Sequence, residues 1–149
     1  MNSLRIETAY RDWSHDIGPT DTPLEAGSGF TCAWNKDGGF LGRDALLAQR
    51  DRGLLPRRLV QFLLSDPETL LYRYEPIYRD GARVGFVSSA MYGHTLGGAV
   101  GLGYVEHADG CSDEFVVSGR YEIQLPDGRV AAHASLTPRY DPKSVRVRA

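Results

Sequence analysis

The chain has 149 residues, of which 42% are hydrophobic and 24% are charged; this balance is typical of a folded domain and excludes a disordered chain. A formal net charge of -2 supplies no positive field, and no apolar run approaches the roughly 20 residues that span a bilayer. We therefore expect neither nucleic acid nor a membrane as a partner, and a soluble, cytoplasmic protein.

The residue types that usually carry metal or nucleophilic chemistry show no useful spacing. Cys32 and Cys111 lie far apart in the sequence, so we interpret them as reduced, structural thiols. The histidines form no pair on a helical stretch; they are His15, His94, His107 and His133. A catalytic serine or cysteine would also need a base and an orienting group, and no such set is visible. We predict no metal site and no catalytic residue within this chain.

The N-terminal third is irregular. Residues 4–10 form a short segment of mixed pattern, typical of one element of a larger domain. Thr22 precedes Pro23, and Glu25 lies three residues after Thr22; this is the signature of a capped helical turn. Residues 30–34 follow with an apolar pattern that predicts a strand.

One helix and six strands are predicted in the remainder. Residues 42–52 are mostly good helix formers, and Gly53 follows where a left-handed C-terminal cap is expected. The pattern then changes to period two. The predicted strands are residues 58–64, 75–79, 83–89, 100–105, 121–125 and 129–136.

Two Asp-Gly pairs, at residues 80–81 and 127–128, each separate two predicted strands. An Asp-Gly pair favours a two-residue hairpin because both turn positions need a positive φ. Six short strands with two hairpins and no intervening helices predict a closed or nearly closed antiparallel β-barrel. The fold class is therefore α+β and mainly β, with one unit at residues 1–54 and the barrel at residues 55–149.

Several stretches, in order along the chain, together resemble the glycine cleavage T-protein (aminomethyltransferase) family. They are SLRIE at 3–7, DI at 16–17, TPLEAG at 22–27, GFLGRDAL at 39–46, VGFVSS at 84–89, TLG at 95–97 and GLGYV at 101–105. The first three resemble the end of the family's folate-binding domain, the fourth its linker helix, and the others its C-terminal barrel. YRDWSHD at 10–16 and PRYDPK at 138–143 look most like the C-terminal modules of dimethylglycine and sarcosine dehydrogenases.

The resemblance implies a role in one-carbon metabolism. Tetrahydrofolate would lie in a cavity between subdomains and accept a one-carbon unit released by oxidation of an N-methyl amine. The family's essential acidic residue, and the FAD domain of the dehydrogenases, would lie upstream and outside this chain. The expected partners are folate and those upstream domains, and the isolated chain would be inactive. The alternative is a stand-alone structural or interaction module that packs with a partner or self-associates.

Four residues are candidates for contact with the folate. The resemblance implies that the Glu7 carboxylate accepts hydrogen bonds from the amino-pyrimidine edge of the pterin; alternatively, Glu7 pairs with Arg5 or Arg11 on a solvated surface. Tyr10 would lie beside the ligand, or else in the core. Lys36 would meet the ligand's glutamate tail as a point charge. Tyr140 belongs to a C-terminal segment that returns toward the cavity, or packs as a simple tail.

Overall fold

The computed structural model describes residues 1–148; Ala149, the last residue of the predicted second unit, lies outside them. In chain order the elements are α1 (Asn2–Glu7), a 3-10 helix (Gly29–Thr31), α2 (Arg43–Asp51), β1 (Arg57–Leu64), β2 (Pro76–Arg79), β3 (Ala82–Gly93), β4 (Gly98–Glu106), α3 (Asp113–Ser118), β5 (Tyr121–Leu125) and β6 (Gly128–Ser135). None of these helices combines the length and the apolar character needed to cross a membrane.

The six strands close into one antiparallel barrel with the strand order β1-β4-β3-β2-β5-β6. Closure is completed by β1, which pairs with β4 on one side and with β6 on the other. Every strand therefore has two hydrogen-bonded neighbours, and the predicted barrel and fold class are confirmed.

Small side chains on β4 make room for large ones inside the barrel. Gly101 and Gly103 face the interior, and a Cβ atom added to Gly103 would lie 2.6 Å from Ile77 Cδ1. Val87 is fully buried, and its atoms would lie 3.3 and 3.2 Å from Cβ atoms added to Gly101 and Gly103. Alternation of small and large residues of this kind fills a narrow barrel without leaving cavities.

The N-terminal segment covers the outer face of the barrel. Ile6, from α1, packs against Leu59 of β1 and against Val100 and Leu102 of β4 in a second apolar cluster, separate from the barrel interior. Because its inner face lines the interior and its outer face lies under α1, β4 is buried on both faces. The segment around α1 thus forms a layer over β1 and β4.

The local signals in the first half of the chain had mixed outcomes. Thr22 and Glu25 exchange two hydrogen bonds of 3.2 Å, so the capped turn is confirmed. The helix predicted at residues 42–52 and the left-handed Gly53 are also confirmed. The strand predicted at residues 30–34 is wrong: a 3-10 helix covers Gly29–Thr31, Phe30 is exposed, and no strand among residues 1–148 pairs with this segment.

The two Asp-Gly hairpins form, but only the first has the predicted turn. Asp80 and Gly81 have φ values of 49° and 85°, so both turn positions are left-handed. In the second hairpin Gly128 already pairs with Leu125, and Pro126 and Asp127 form the turn. The prediction of two positive φ angles is wrong there, because proline fixes φ near -65° at the first turn position.

A short helix, α3, lies between β4 and β5, so the expectation of no helix among the strands is wrong. Its N-terminal cap is Ser112, whose hydroxyl accepts a hydrogen bond from the Phe115 nitrogen at 3.0 Å. Asp113 and Glu114 in its first turn favour the positive end of the helix. These residues were a readable start signal, but the helix has only six residues and no clear period.

Candidate functional site

Among residues 1–148, the buried polar and charged side chains lie where the N-terminal segment meets the barrel. They are Glu7, Asp16, Glu25, Gln61 and Ser89. A buried polar group is costly unless it is hydrogen-bonded. This layer is therefore the place where the chain combines burial with charge, and it contains the candidate site.

Glu7 ends α1 and is 0% exposed. Its Oε1 atom accepts hydrogen bonds from the amide nitrogens of Thr95 and Leu96, at 2.7 and 3.0 Å, in the turn between β3 and β4. Its Oε2 atom is also buried and has no hydrogen-bond partner within residues 1–148. The alternative of a solvated pair with Arg5 or Arg11 is wrong, because Arg5 binds Asp16 and Arg11 binds backbone carbonyls.

Tyr140 is joined to Glu7 through the backbone. Its amide nitrogen donates to the Glu7 carbonyl at 3.3 Å. The side-chain amide of Gln61, on β1, donates to the carbonyls of Ile6 and Glu7 at 2.6 and 3.0 Å, and accepts from the Arg139 nitrogen at 2.8 Å. The end of α1, the barrel and the C-terminal segment therefore meet at one point.

Tyr10 is close to this point and Lys36 is not. The Tyr10 nitrogen donates to the Arg5 carbonyl at 2.9 Å, one turn from Glu7, and its side chain is 46% exposed. Lys36 lies in an exposed loop, beside a shallow cavity of about 490 Å³ that Arg43 also lines. No hydrogen bond or ion pair within residues 1–148 joins Lys36 to the other three candidates. Backbone hydrogen bonds thus place Tyr10 and Tyr140 at the end of α1, where Glu7 lies, and Lys36 lies apart from them.

Asp16 organises the neighbouring part of the layer. Its Oδ2 atom accepts from Arg5 Nη1 at 2.6 Å and from the Asp12 nitrogen at 2.9 Å, and its Oδ1 atom accepts from Ser88 Oγ at 2.6 Å. Arg5 also donates to Ser89 at 3.1 Å. Both carboxylate oxygens are therefore satisfied, so this carboxylate fixes α1 to β3 and is not free to bind a ligand.

A third polar group joins the capped turn to β1. Arg57 contacts Asp21 at 2.7 Å and Glu25 at 3.4 Å, and its guanidinium lies 4.9 Å from the centre of the Tyr104 ring. The Tyr104 hydroxyl is buried without a hydrogen-bond partner within residues 1–148. Burial raises the pKa of Tyr104 above its usual value.

Sequence reasoning missed Gln61 and Asp16. Gln61 had one readable signal, since it is the polar residue in a strand whose neighbours Leu59, Val60 and Phe62 are apolar on both faces. A polar residue in such a run must be buried and must therefore have partners. Asp16 gave no signal of this kind, because it lies in an irregular, charged segment.

Comparison with known proteins places this architecture. Residues 57–141 match the family model described as the glycine cleavage T-protein C-terminal barrel domain. The chain is 42% identical to 4-methylaminobutanoate oxidase (formaldehyde-forming) of Paenarthrobacter nicotinovorans and 39% identical to mitochondrial sarcosine dehydrogenase of Homo sapiens. Each match covers 99% of this chain, but 17% and 16% of the relative.

A solved structure has the same fold. The glycine cleavage system aminomethyltransferase T from Bartonella henselae superposes with a TM-score of 0.79 at 24% sequence identity. The match covers 95% of this chain and 38% of that protein. The chain thus spans about a sixth of the length of the two curated relatives and under half of the solved structure.

Proposed function

This chain belongs to the glycine cleavage T-protein C-terminal barrel family, and we propose that it completes the tetrahydrofolate site of a larger one-carbon transfer enzyme. The observation that carries the proposal is the state of Glu7. One carboxylate oxygen is held by two backbone amides, and the other is buried without a partner within residues 1–148. A native carboxylate that keeps an unsatisfied buried oxygen requires an explanation, and a ligand donor would supply one.

The Glu7 carboxylate is a hydrogen-bond acceptor of the kind that suits a pterin. Oε1 is already held by two amides, so the unpartnered Oε2 is the atom that can accept a hydrogen bond from an N–H group of the amino-pyrimidine edge of a pterin. Tyr10 offers an exposed aromatic ring near the end of α1, and Tyr140 joins the same region through its backbone. Tetrahydrofolate, when bound, would accept the one-carbon unit. The role of this chain is to bind and orient the pterin, and Lys36, which lies apart from the other three candidates, is assigned no contact with it.

Ligand access to Glu7 requires movement of its cover. The carboxylate is 0% exposed, and the turn after β3 packs against it: a Cβ atom added to Gly93 would lie 3.0 Å from Glu7 Oε1. The turn is held by the same two hydrogen bonds that orient the carboxylate. We propose that residues 93–96 shift when the pterin binds, so that Oε2 becomes accessible while Oε1 keeps its amides.

Glu7→Gln tests this assignment. The glutamine oxygen can still accept from Thr95 and Leu96, but an NH₂ group replaces Oε2 and would face the pterin donors. We expect the fold to survive and the affinity for tetrahydrofolate, measured by titration calorimetry, to fall by roughly 10- to 100-fold. Glu68→Gln, in an exposed loop, is the matched control and should bind as the wild type does.

Two results would oppose the proposal. Equal affinity of Glu7→Gln and the wild type would show that Glu7 does not contact the pterin. No binding by the wild-type chain at millimolar tetrahydrofolate would show that this chain alone does not form a working part of the site. In the second case the buried Glu7 carboxylate would have a structural role, which is to hold the turn between β3 and β4.

The larger enzyme would supply the chemistry. We propose that upstream domains, outside this chain, carry the residues that act on the substrate, and that an FAD-bearing domain oxidises an N-methyl amine. The support is the set of relatives, since one is named a formaldehyde-forming oxidase of 4-methylaminobutanoate and the other a sarcosine dehydrogenase. The isolated chain should then show no turnover.

An aromatic surface on the barrel is the proposed contact with the rest of that enzyme. Trp13, Tyr72 and Tyr74 are 64%, 65% and 70% exposed. Their two loops are adjacent, because Arg73 donates to the Ser88 carbonyl while the Ser88 hydroxyl donates to Asp16 in the Trp13 loop. Exposed tryptophan, tyrosine and arginine residues are typical of interfaces.

Without that contact, the isolated chain should self-associate through this surface. In sedimentation velocity we expect a sedimentation coefficient that rises with concentration, and a smaller rise for the double variant Trp13→Ser, Tyr74→Ser. Phe30→Ser, at another exposed aromatic residue, is the control and should behave as the wild type does. A wild-type chain that stays monomeric at every concentration would contradict this interface and the stand-alone interaction role with it.

A further inference from the structure

Gln61 is the residue through which the barrel binds both the end of α1 at Glu7 and the residue that precedes Tyr140. It lies in the middle of β1 and is 2% exposed. Its side chain points to the outer face of the barrel, where its NH₂ group donates to Ile6 and Glu7 and its oxygen accepts from Arg139. All three bonds join segments that are far apart in the sequence.

Only an amide side chain fits this position. The carbonyls of Ile6 and Glu7 need donors, and the Arg139 nitrogen needs an acceptor. Glutamine presents both kinds of group on one planar head, whereas a carboxylate only accepts and an aliphatic side chain does neither. A glutamate at this position would have the shape of glutamine but no N–H donors, so the buried carbonyls of Ile6 and Glu7 would lose their hydrogen bonds.

The C-terminal segment is fixed at this point from two directions. The Arg139 nitrogen binds Gln61, while the Arg139 guanidinium donates to the carbonyls of His133 and Ala134 at 3.0 and 3.3 Å on β6. The next residue, Tyr140, donates to the Glu7 carbonyl. Removal of Gln61 would thus loosen Glu7 and Tyr140 together.

We propose that Gln61 is a positioning residue of the site: it sets the backbone at the end of α1, and so aims the Glu7 carboxylate and places Tyr140. The inference rests on the proposed folate function for its biological purpose, but the coupling itself can be measured without folate. Gln61 does not contact the ligand itself, and its effect on the site passes through Glu7 and Tyr140.

Gln61→Glu and Gln61→Met test the coupling. The first keeps the shape and loses the donors; the second keeps the length, adds no buried charge and secures the test if the first fails to fold. In hydrogen exchange followed by NMR, we expect the amides of Thr95, Leu96 and Tyr140 to exchange roughly tenfold faster than in the wild type. The tetrahydrofolate affinity should fall by a similar factor.

Val116→Ala is the control for general destabilisation, since Val116 is fully buried in the other apolar cluster. It should lower the global stability without selectively accelerating those three amides. Faster exchange that is confined to the Gln61 variants supports the proposal, whether or not the wild type binds folate. Unchanged exchange at these amides in both variants, or the same pattern in Val116→Ala, would overturn it. Failure of wild-type binding bears only on the folate function.

Discussion

Replacing Gly85 with alanine is expected to lower the free energy of unfolding by about 3 kcal/mol, because a side chain at this position has no space. A Cβ atom there would overlap the carbonyl oxygen of Tyr104, a backbone atom on the paired strand β4. Gly85 has no positive φ, so the effect comes from the close approach of two strands and not from an unusual backbone conformation. Urea unfolding followed by circular dichroism measures the change.

Gly98→Ala is the matched control for this prediction. It lies on β4, in the same ladder, but its added Cβ atom would meet its nearest neighbour, Leu63 Cδ1, at 3.4 Å. We expect a change below about 1 kcal/mol at this position. If the two variants unfold at the same urea concentration, the result contradicts the idea that the close approach of β3 and β4 excludes a side chain at Gly85.

Replacing Asp16 with alanine is expected to cost roughly 3 to 5 kcal/mol, since it removes the buried carboxylate that lies 2.6 Å from the Arg5 guanidinium and leaves only Asp12, at 4.0 Å. Asp16 is 1% exposed and accepts three hydrogen bonds, and the Arg5 side chain is largely buried as well. By contrast, Asp51→Ala, which breaks an exposed pair with Arg50, should change stability by less than about 0.5 kcal/mol.

A double-mutant cycle separates the pair from the rest of the Asp16 network. Arg5→Met and Asp16→Ala are measured singly and together by urea unfolding. Because removing both charges leaves no unpaired ion, the double variant should be clearly more stable than the sum of the single losses predicts. Strict additivity would contradict the idea that these two side chains stabilise the α1–β3 contact as a unit.

The barrel could be predicted from the sequence because its signals are local. The Asp80–Gly81 pair sets its own turn, and period-two patterns mark each strand over a few residues. The α3 helix was not predicted, because its N-cap residue Ser112 is a short local signal in a segment without clear periodicity.

The site could be predicted only in part, because its geometry depends on contacts between distant residues. The resemblance of residues 3–7 to a folate-domain motif identified Glu7, but nothing local indicates that Thr95 and Leu96 hold its carboxylate. The same applies to Asp16, whose partner Ser88 lies 72 residues further along the chain. Side-chain hydrogen bonds of this range follow from tertiary packing, which propensity and spacing do not encode.

The meeting of α1 with the C-terminal segment also constrains how this chain can be made. Glu7 leaves the ribosome long before Tyr140 and Arg139, yet its backbone and that of Ile6 are held by a strand and a tail that are synthesised later. The barrel cannot close before β6 has emerged, since β1 pairs with it. Contacts of such long sequence separation form slowly. The final contacts of α1 and β1 therefore cannot form early in synthesis. The module completes its fold only after β6 and the C-terminal segment have been translated.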